Sequence, residues 1–175
     1  KEWMLLKKYK LPVSPPECLP SAVSVAAQAD FEDDLGELLP YLNTRFAPCV
    51  YDADMPFLRF RKDGRTFAVY PRRILFNPLR DEQEAEDVFT WLRGQIRLVA
   101  ERKDAIQPST WSISSLKPLD IFRLLPRTNC GLCEKPTCMA FAAAVAAGET
   151  DPDRCPPLSE DPEKRAQLRA LMKPE

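Results

Sequence analysis

The chain has 175 residues, 45% of them hydrophobic, which is enough for one large domain or for an ordinary domain with a small appended module. Its 25 basic and 26 acidic residues give a formal net charge of −1, and this balance argues against a nucleic-acid-binding protein, which normally carries a basic excess. The longest apolar run, Met139 to Ala147, is under half of the roughly 20 residues that cross a bilayer, so no membrane span is expected.

The first part of the chain shows the patterns of a sheet and two helices. Residues 21–28 alternate between apolar and polar side chains and predict a strand. Asp30 is the predicted N-cap of a helix along the apolar positions that follow, and Pro40 should kink or break that helix. From Pro48 the period changes to two, and Asp63-Gly64 between two apolar runs predicts a β-hairpin.

A capping-box pattern, Asp81 followed by Glu84, predicts the start of the longest helix, which should end near residue 102. The order of elements over residues 20–104 is therefore β-α-β-β-β-β-α. It indicates an α+β fold, an antiparallel sheet with helices on one face, followed by a small, mostly helical four-cysteine module. We expect an α+β platform domain of unknown role at residues 1–105, the cysteine module at 106–160 and a C-terminal helix at 161–175.

Four of the six cysteines lie in one stretch with the spacing C-x2-C-x4-C-x16-C: Cys130, Cys133, Cys138 and Cys155. Free cysteines are usually small buried hydrophobes, which gives no reason for three of them to gather in nine residues. A tight loop can turn three sulfurs toward one point, and a helix can return the chain to deliver a fourth from Cys155-Pro156. This layout is typical of a [4Fe-4S] cluster bound by four thiolates.

The residues around these cysteines fit such a cluster. Gly131 allows close approach of the backbone, and loop amides can donate hydrogen bonds to sulfur. The helix that begins near Cys138 is expected to aim its positive end at the cluster. Its apolar residues are expected to exclude water from the site as a lid: Met139, Phe141, Ala142 and Val145.

Two other interpretations of the four thiols remain open. Zinc sites made of four cysteines usually use two close pairs, and Cys155 has no close partner. Two disulfides are disfavoured, because the cysteines are clustered and the start of the chain shows no signal-peptide pattern, which together favour a reducing cytoplasm. Cys18 and Cys49 are expected to be unrelated thiols in or near the core of the first domain, with a redox pair or extra ligands as the alternative.

The same stretch resembles a known family. Leu125-Pro126-Arg127-Thr128-Asn129-Cys130-Gly131, the helix with Ala140-Phe141-Ala142, and then Gly148 and Cys155-Pro156 are similar to the small [4Fe-4S] domain of the corrinoid iron–sulfur protein. A similar domain occurs in the B-type subunit of Rnf electron-transport complexes. The resemblance covers about residues 116–158 and implies that Cys130, Cys133, Cys138 and Cys155 bind one [4Fe-4S] cluster. In the corrinoid protein that cluster passes a low-potential electron toward the cobalt.

The resemblance implies a carrier of single electrons in an anaerobic pathway. Its expected partner is a redox protein such as a corrinoid protein, because the larger domains of those families have no counterpart in this sequence. The chain contains no histidine, which removes Ser-His and Cys-His catalysis and the commonest general base, so the chain is not expected to be an enzyme by itself. The alternative is a non-redox assembly or interaction protein whose module is stabilised by a structural cluster or by zinc.

Overall fold

The computed structural model describes residues 5–15 and 24–172. The strands within these ranges are β1 (Tyr9–Lys10), β2 (Val13–Ser14), β3 (Val25–Phe31), β4 (Val50–Asp52), β5 (Phe57–Lys62), β6 (Arg65–Tyr70) and β7 (Arg73–Leu79). The helices are α1 (Leu39–Phe46), α2 (Glu82–Glu101), α3 (Pro118–Leu124), α4 (Cys138–Ala146), α5 (Pro156–Ser159) and α6 (Pro162–Leu171). The predicted α+β fold with its small helical region of cysteines is confirmed.

The strands form one antiparallel sheet in the order β1-β3-β7-β6-β5-β4, and β2 also pairs with β3. β5 and β6 form the predicted hairpin, in which Lys62 pairs with Arg65 across Asp63 and Gly64. Both turn residues have positive φ, 50° and 76°, as the tight turn between twisted strands requires. β1 and β2 were not predicted, because strands of two residues carry too short a pattern to recognise.

One face of the sheet is covered by α1 and α2 and forms the first hydrophobic cluster. Its centre is a row of phenylalanine rings, with Phe67 4.9 Å from Phe60 and 5.8 Å from Phe76 between ring centroids. Phe89 of α2 closes the row 6.3 Å from Phe76. The start of α2 is as predicted, since the Asp81 carboxylate accepts a hydrogen bond of 2.8 Å from the N–H of Glu84.

The prediction for the segment around Asp30 is wrong. Asp30 lies inside β3, where it pairs with Lys10 of β1 and Arg73 of β7, and α1 begins only at Leu39. Backbone hydrogen bonds to two neighbouring strands outweigh the local capping preference of an aspartate. Pro40 lies in the first turn of α1, where its missing N–H costs nothing, so it neither kinks nor breaks the helix.

The remaining helices pack into a second hydrophobic cluster, which contacts the other face of the sheet. Val50 of β4 packs against this cluster, while Tyr51, the next residue, packs against the first. The N–H of Ile113 donates to the carbonyl of Cys49 at 2.8 Å, and the N–H of Tyr51 donates to the Ser112 hydroxyl at 3.0 Å. The second cluster therefore attaches at the β4 edge, opposite α1 and α2.

Candidate metal centre

The loop between α3 and α4, residues 125–137, carries the first two cysteines of the predicted site. Four of its residues have positive φ: Arg127 at 61°, Asn129 at 51°, Gly131 at 73° and Glu134 at 62°. Such left-handed positions reverse the chain direction locally, and repeated reversals coil a short segment into a compact loop. The N–H of Glu134 donates to the carbonyl of Gly131 at 3.0 Å and fixes one of these turns.

Asn129 closes the loop. Its side-chain oxygen accepts a hydrogen bond of 2.8 Å from the N–H of Cys138, nine residues later. Asparagine is one of the few non-glycine residues that adopt positive φ readily, so one residue provides both the turn and the cross-loop acceptor. Thr137 then begins α4 as its N-cap, accepting from the N–H of Ala140 at 3.0 Å. The sequence motif includes Asn129, but its pattern did not predict this bond.

A separate segment delivers the fourth cysteine. Asp151 begins a short 3-10 turn (Pro152–Arg154), and Cys155 directly follows it as the N-cap of α5. Asp153 anchors this turn to α6 through Arg165 at 2.9 Å and Arg169 at 2.7 Å. These two ion pairs hold the turn before Cys155 against the last helix.

An ion pair joins the two cysteine-bearing segments directly. Arg154, the residue before Cys155, contacts the Glu134 carboxylate of the loop at 2.6 Å. Both side chains are more than half exposed, so solvent weakens the pair and its main effect is to restrict the loop. This contact lies between residues twenty positions apart, and no local pattern in the sequence predicted it.

The four thiols differ in exposure. Cys138 and Cys155 are buried at 7% and 5% exposure in the second hydrophobic cluster, and Cys133 is half-buried against it. Cys130 is exposed. Of the predicted apolar lid, Phe141, Ala142 and Val145 are fully buried in that cluster, whereas the prediction for Met139 is wrong, because it is 39% exposed. Met139 points away from the core because the helix turns its buried stripe toward α3.

The other three thiols influence the charge state of Cys155. Burial raises the pKa of Cys155, the N–H of Leu158 lowers it, and Cys133, Cys138 and Cys130 each raise it further by charge repulsion. At the open end of the site the Thr128 hydroxyl and the N–H of Leu132 donate hydrogen bonds to the Cys130 sulfur, which lowers its pKa. Such donors stabilise a thiolate, the form that binds metal.

This donor set fits an iron–sulfur group. It offers four thiols, donors to sulfur at Cys130 and Cys155, and a partly apolar surrounding. Within residues 5–15 and 24–172, no three His, Cys, Asp or Glu side chains are grouped so as to hold one metal ion.

The other two cysteines lie apart from this site or outside the described residues. Cys49 is 1% exposed in the first hydrophobic cluster, and its sulfur lies 3.7 Å from the carbonyl oxygen of Asn43. Burial raises the pKa of this thiol strongly, so it stays protonated and unreactive. The predicted role for Cys49 as a core thiol is thus confirmed. Cys18 lies outside the described residues.

Comparison with known proteins assigns the cysteine region to a class. Residues 125–157 match a family model described as "Putative Fe-S cluster". The gamma subunit of the acetyl-CoA decarbonylase/synthase complex of Methanothermobacter thermautotrophicus is 46% identical over 56 residues, which is 32% of this chain and 12% of that protein. The gamma 2 subunit of the same complex from Methanosarcina thermophila is 43% identical over 61 residues, 33% of this chain and 13% of that protein.

A third relative belongs to the family that the cysteine motif resembles. The corrinoid/iron-sulfur protein large subunit of Moorella thermoacetica is 47% identical over 45 residues, 26% of this chain and 10% of that protein. The C-terminal part of the chain is therefore an Fe–S domain shared with these proteins, which confirms the resemblance and supports an iron–sulfur cofactor. The chain spans only 10–13% of the length of these relatives. No solved structure gave a significant match. In the described part of the chain, no helix is both long enough and apolar enough to cross a membrane.

Proposed function

We propose that Cys130, Cys133, Cys138 and Cys155 bind one [4Fe-4S] cluster and that the protein transfers single electrons to a partner protein. The observation that carries this proposal is that the Fe–S match at 125–157 contains all four cysteines, which also interact electrostatically around Cys155. When bound, such a cluster accepts and releases one electron at a time. The four thiolates saturate the ligand positions, so the group has no open site for binding a substrate.

The residues of the chain support this role in two ways. The buried side of the site excludes water through Phe141, Ala142 and Val145, and exclusion of water is one determinant of reduction potential. The N–H of Leu132 and the Thr128 hydroxyl offset negative charge at the exposed cysteine.

The partner that we propose is a corrinoid-related protein. The relatives include a protein named as a corrinoid/iron-sulfur protein and subunits of an acetyl-CoA decarbonylase/synthase complex, which supports a partner of that kind in an anaerobic pathway. We further propose that residues 1–105 act as a platform, residues 106–160 as the cluster module and residues 161–175 as a C-terminal segment whose described helix, α6, packs on it. Leu168 of α6 lies in the second cluster and supports this packing. Free thiols of this kind fit a reducing cytoplasm.

Anaerobic purification followed by metal and sulfide analysis tests the cofactor. We expect iron and sulfide in equal amounts, and an EPR signal that appears on reduction with dithionite and disappears on reoxidation. Zinc without sulfide would contradict the cluster. Iron and sulfide with no reversible signal would instead indicate a structural cluster in a non-redox assembly protein.

A matched pair of variants tests the ligand set. Cys133→Ser should lose or degrade the cluster, because serine oxygen replaces a thiolate ligand. Cys49→Ala removes a buried thiol from the first hydrophobic cluster and should leave the iron and sulfide content unchanged. Equal loss of iron in both variants would show that the ligand set is wrong.

A further inference from the structure

The four thiols differ in exposure, so one side of the site is buried and the other faces solvent. Cys138 and Cys155 are covered by the second hydrophobic cluster, Cys133 is half-covered, and Cys130 faces solvent. A group held between them would be shielded on one side and close to solvent on the other. Since the rate of electron transfer falls steeply with distance, a partner protein must approach from the Cys130 side.

Two apolar side chains next to the proposed ligands are exposed. Leu132, between Cys130 and Cys133, is 64% exposed, and Met139, directly after Cys138, is 39% exposed. Leu132 lies between two of the proposed ligands in the sequence, and Met139 directly follows a third. Single exposed apolar residues are common on protein surfaces, but these two directly adjoin proposed ligands, where a redox partner has to come close.

Two cations, Arg127 and Lys135, lie on the same loop as Leu132. Arg127 is exposed, and its guanidinium lies 6.0 Å from the centroid of the Phe122 ring. Lys135 is half-buried, and among the described residues neither cation forms an ion pair. The acidic residue between them, Glu134, pairs with Arg154 at 2.6 Å and with neither of these two cations. The loop thus presents uncompensated positive charge, which complements a partner with carboxylates around its contact surface.

We propose that Leu132 and Met139, flanked by Arg127 and Lys135, form the docking surface for an acidic redox protein that exchanges electrons with the Cys130 side of the site. This inference rests on the proposed function and names where the partner binds. A small apolar contact with a charged rim suits an electron-transfer encounter, which usually buries less than about 1,200 Å². The two cations would also offset the negative charge of the bound group. Only docking involves a second protein, so the salt dependence of partner binding reports on docking and not on this charge compensation.

Binding of flavodoxin, an acidic one-electron carrier, serves as the probe. We expect the wild-type protein to shift NMR signals of ¹⁵N-labelled flavodoxin, with a Kd that weakens as salt is added. Leu132→Glu places a carboxylate against the acidic probe and should weaken binding about tenfold or more. Met55→Glu is the matched control, because Met55 is 73% exposed in the turn between β4 and β5, outside the cysteine module, and its Kd should stay within about twofold.

Lys135→Glu tests the charge of the rim. It should weaken flavodoxin binding and remove most of its salt dependence, while binding of the basic carrier cytochrome c should improve. Equal Kd values for Leu132→Glu and Met55→Glu, or salt-independent binding by the wild-type protein, would overturn the docking surface. The stopped-flow rate of electron transfer to flavodoxin should fall in parallel with binding.

The outcomes separate this inference from the proposed function. A cluster with no reversible EPR signal would overturn electron transfer, whereas flavodoxin binding would still test the surface. A reversible EPR signal, together with equal flavodoxin Kd values for Leu132→Glu and Met55→Glu, would overturn only the docking surface. Iron and sulfide content, measured for every variant, identifies any loss that comes from a damaged site.

Discussion

Gly148 lies just after the C-terminal end of α4, where the second hydrophobic cluster meets the sheet. An alanine at this position should strongly lower the free energy of unfolding. The residue has a φ of +67°, where an alanine loses about 1–2 kcal/mol. An added Cβ would also lie 2.8 Å from Cγ2 of Val50 in β4. Valine is stiff at χ1 and sits in a strand, so it cannot move aside cheaply, and such overpacking costs about 1–3 kcal/mol. We therefore expect Gly148→Ala to lower the free energy of unfolding by about 2–5 kcal/mol.

Gly64 provides a matched control for the backbone contribution. Its φ is +76°, and an added Cβ would meet nothing within 4 Å, so Gly64→Ala should cost only about 1–2 kcal/mol. The change in unfolded-state entropy is the same for both substitutions and cancels in the comparison. Urea unfolding of the metal-free protein, followed by circular dichroism, gives both values. Val50→Ala removes the clashing methyl and should make the double variant with Gly148→Ala less unstable than additivity predicts.

The refuting result is specific. If Gly148→Ala and Gly64→Ala destabilise the protein equally, the contact between Gly148 and Val50 is not tight. The second hydrophobic cluster then does not pack closely against the sheet at this position. For a chain of this length each kcal/mol shifts Tm by about 2–4 °C, so thermal scans provide an independent check.

Two further predictions concern the cysteine loop and the platform. Asn129→Gly keeps the positive φ but removes the acceptor for the N–H of Cys138, so the metal-free protein should lose about 1 kcal/mol and that amide should exchange its hydrogen faster by NMR; unchanged protection would show that the bond is not formed. The pKa of Glu84 is held below its usual 4.5, mainly by a hydrogen bond from the backbone N–H of Arg80. A depressed carboxyl pKa stabilises the fold above the unfolded value and loses this effect as the pH falls through the folded value. Glu84→Gln should therefore be less stable than the wild type at pH 7, and the difference between their urea midpoints should shrink below about pH 4.5; a difference independent of pH would contradict this.

Features specified by adjacent residues could be predicted from the sequence. The Asp63-Gly64 hairpin and the start of α2 at Asp81 depend on turn and cap chemistry within four residues, and the structure has both where expected. The Fe–S domain was recognisable for the same reason, since its cysteine spacing and glycine lie in one continuous stretch. Local chemistry of this kind does not depend on the rest of the fold.

Features that depend on distant partners could not be predicted. Asp30 satisfies every local rule for a helix N-cap, yet pairing with β1 and β7 places it in a strand. Met139 shares its helix with the buried Phe141, and only the packing of α4 against α3 decides which of the two faces solvent. The bond from Asn129 to Cys138 requires the loop to close first, and the spacing alone does not specify which side chain closes it.

The sheet contacts the helix that carries Cys138, although residues 1–105 contain none of the four proposed ligands. α4 begins at Cys138 and has no basic residue in its last turn to balance the partial negative charge of its C-terminal carbonyls. Arg59 of β5 supplies that charge, since its guanidinium donates a hydrogen bond of 2.6 Å to the carbonyl of Ala147. A cation at this end and a negatively charged cluster at the other would stabilise the same helix dipole from both ends. This bond ties the C-terminal end of α4 to the sheet, and α4 begins at Cys138.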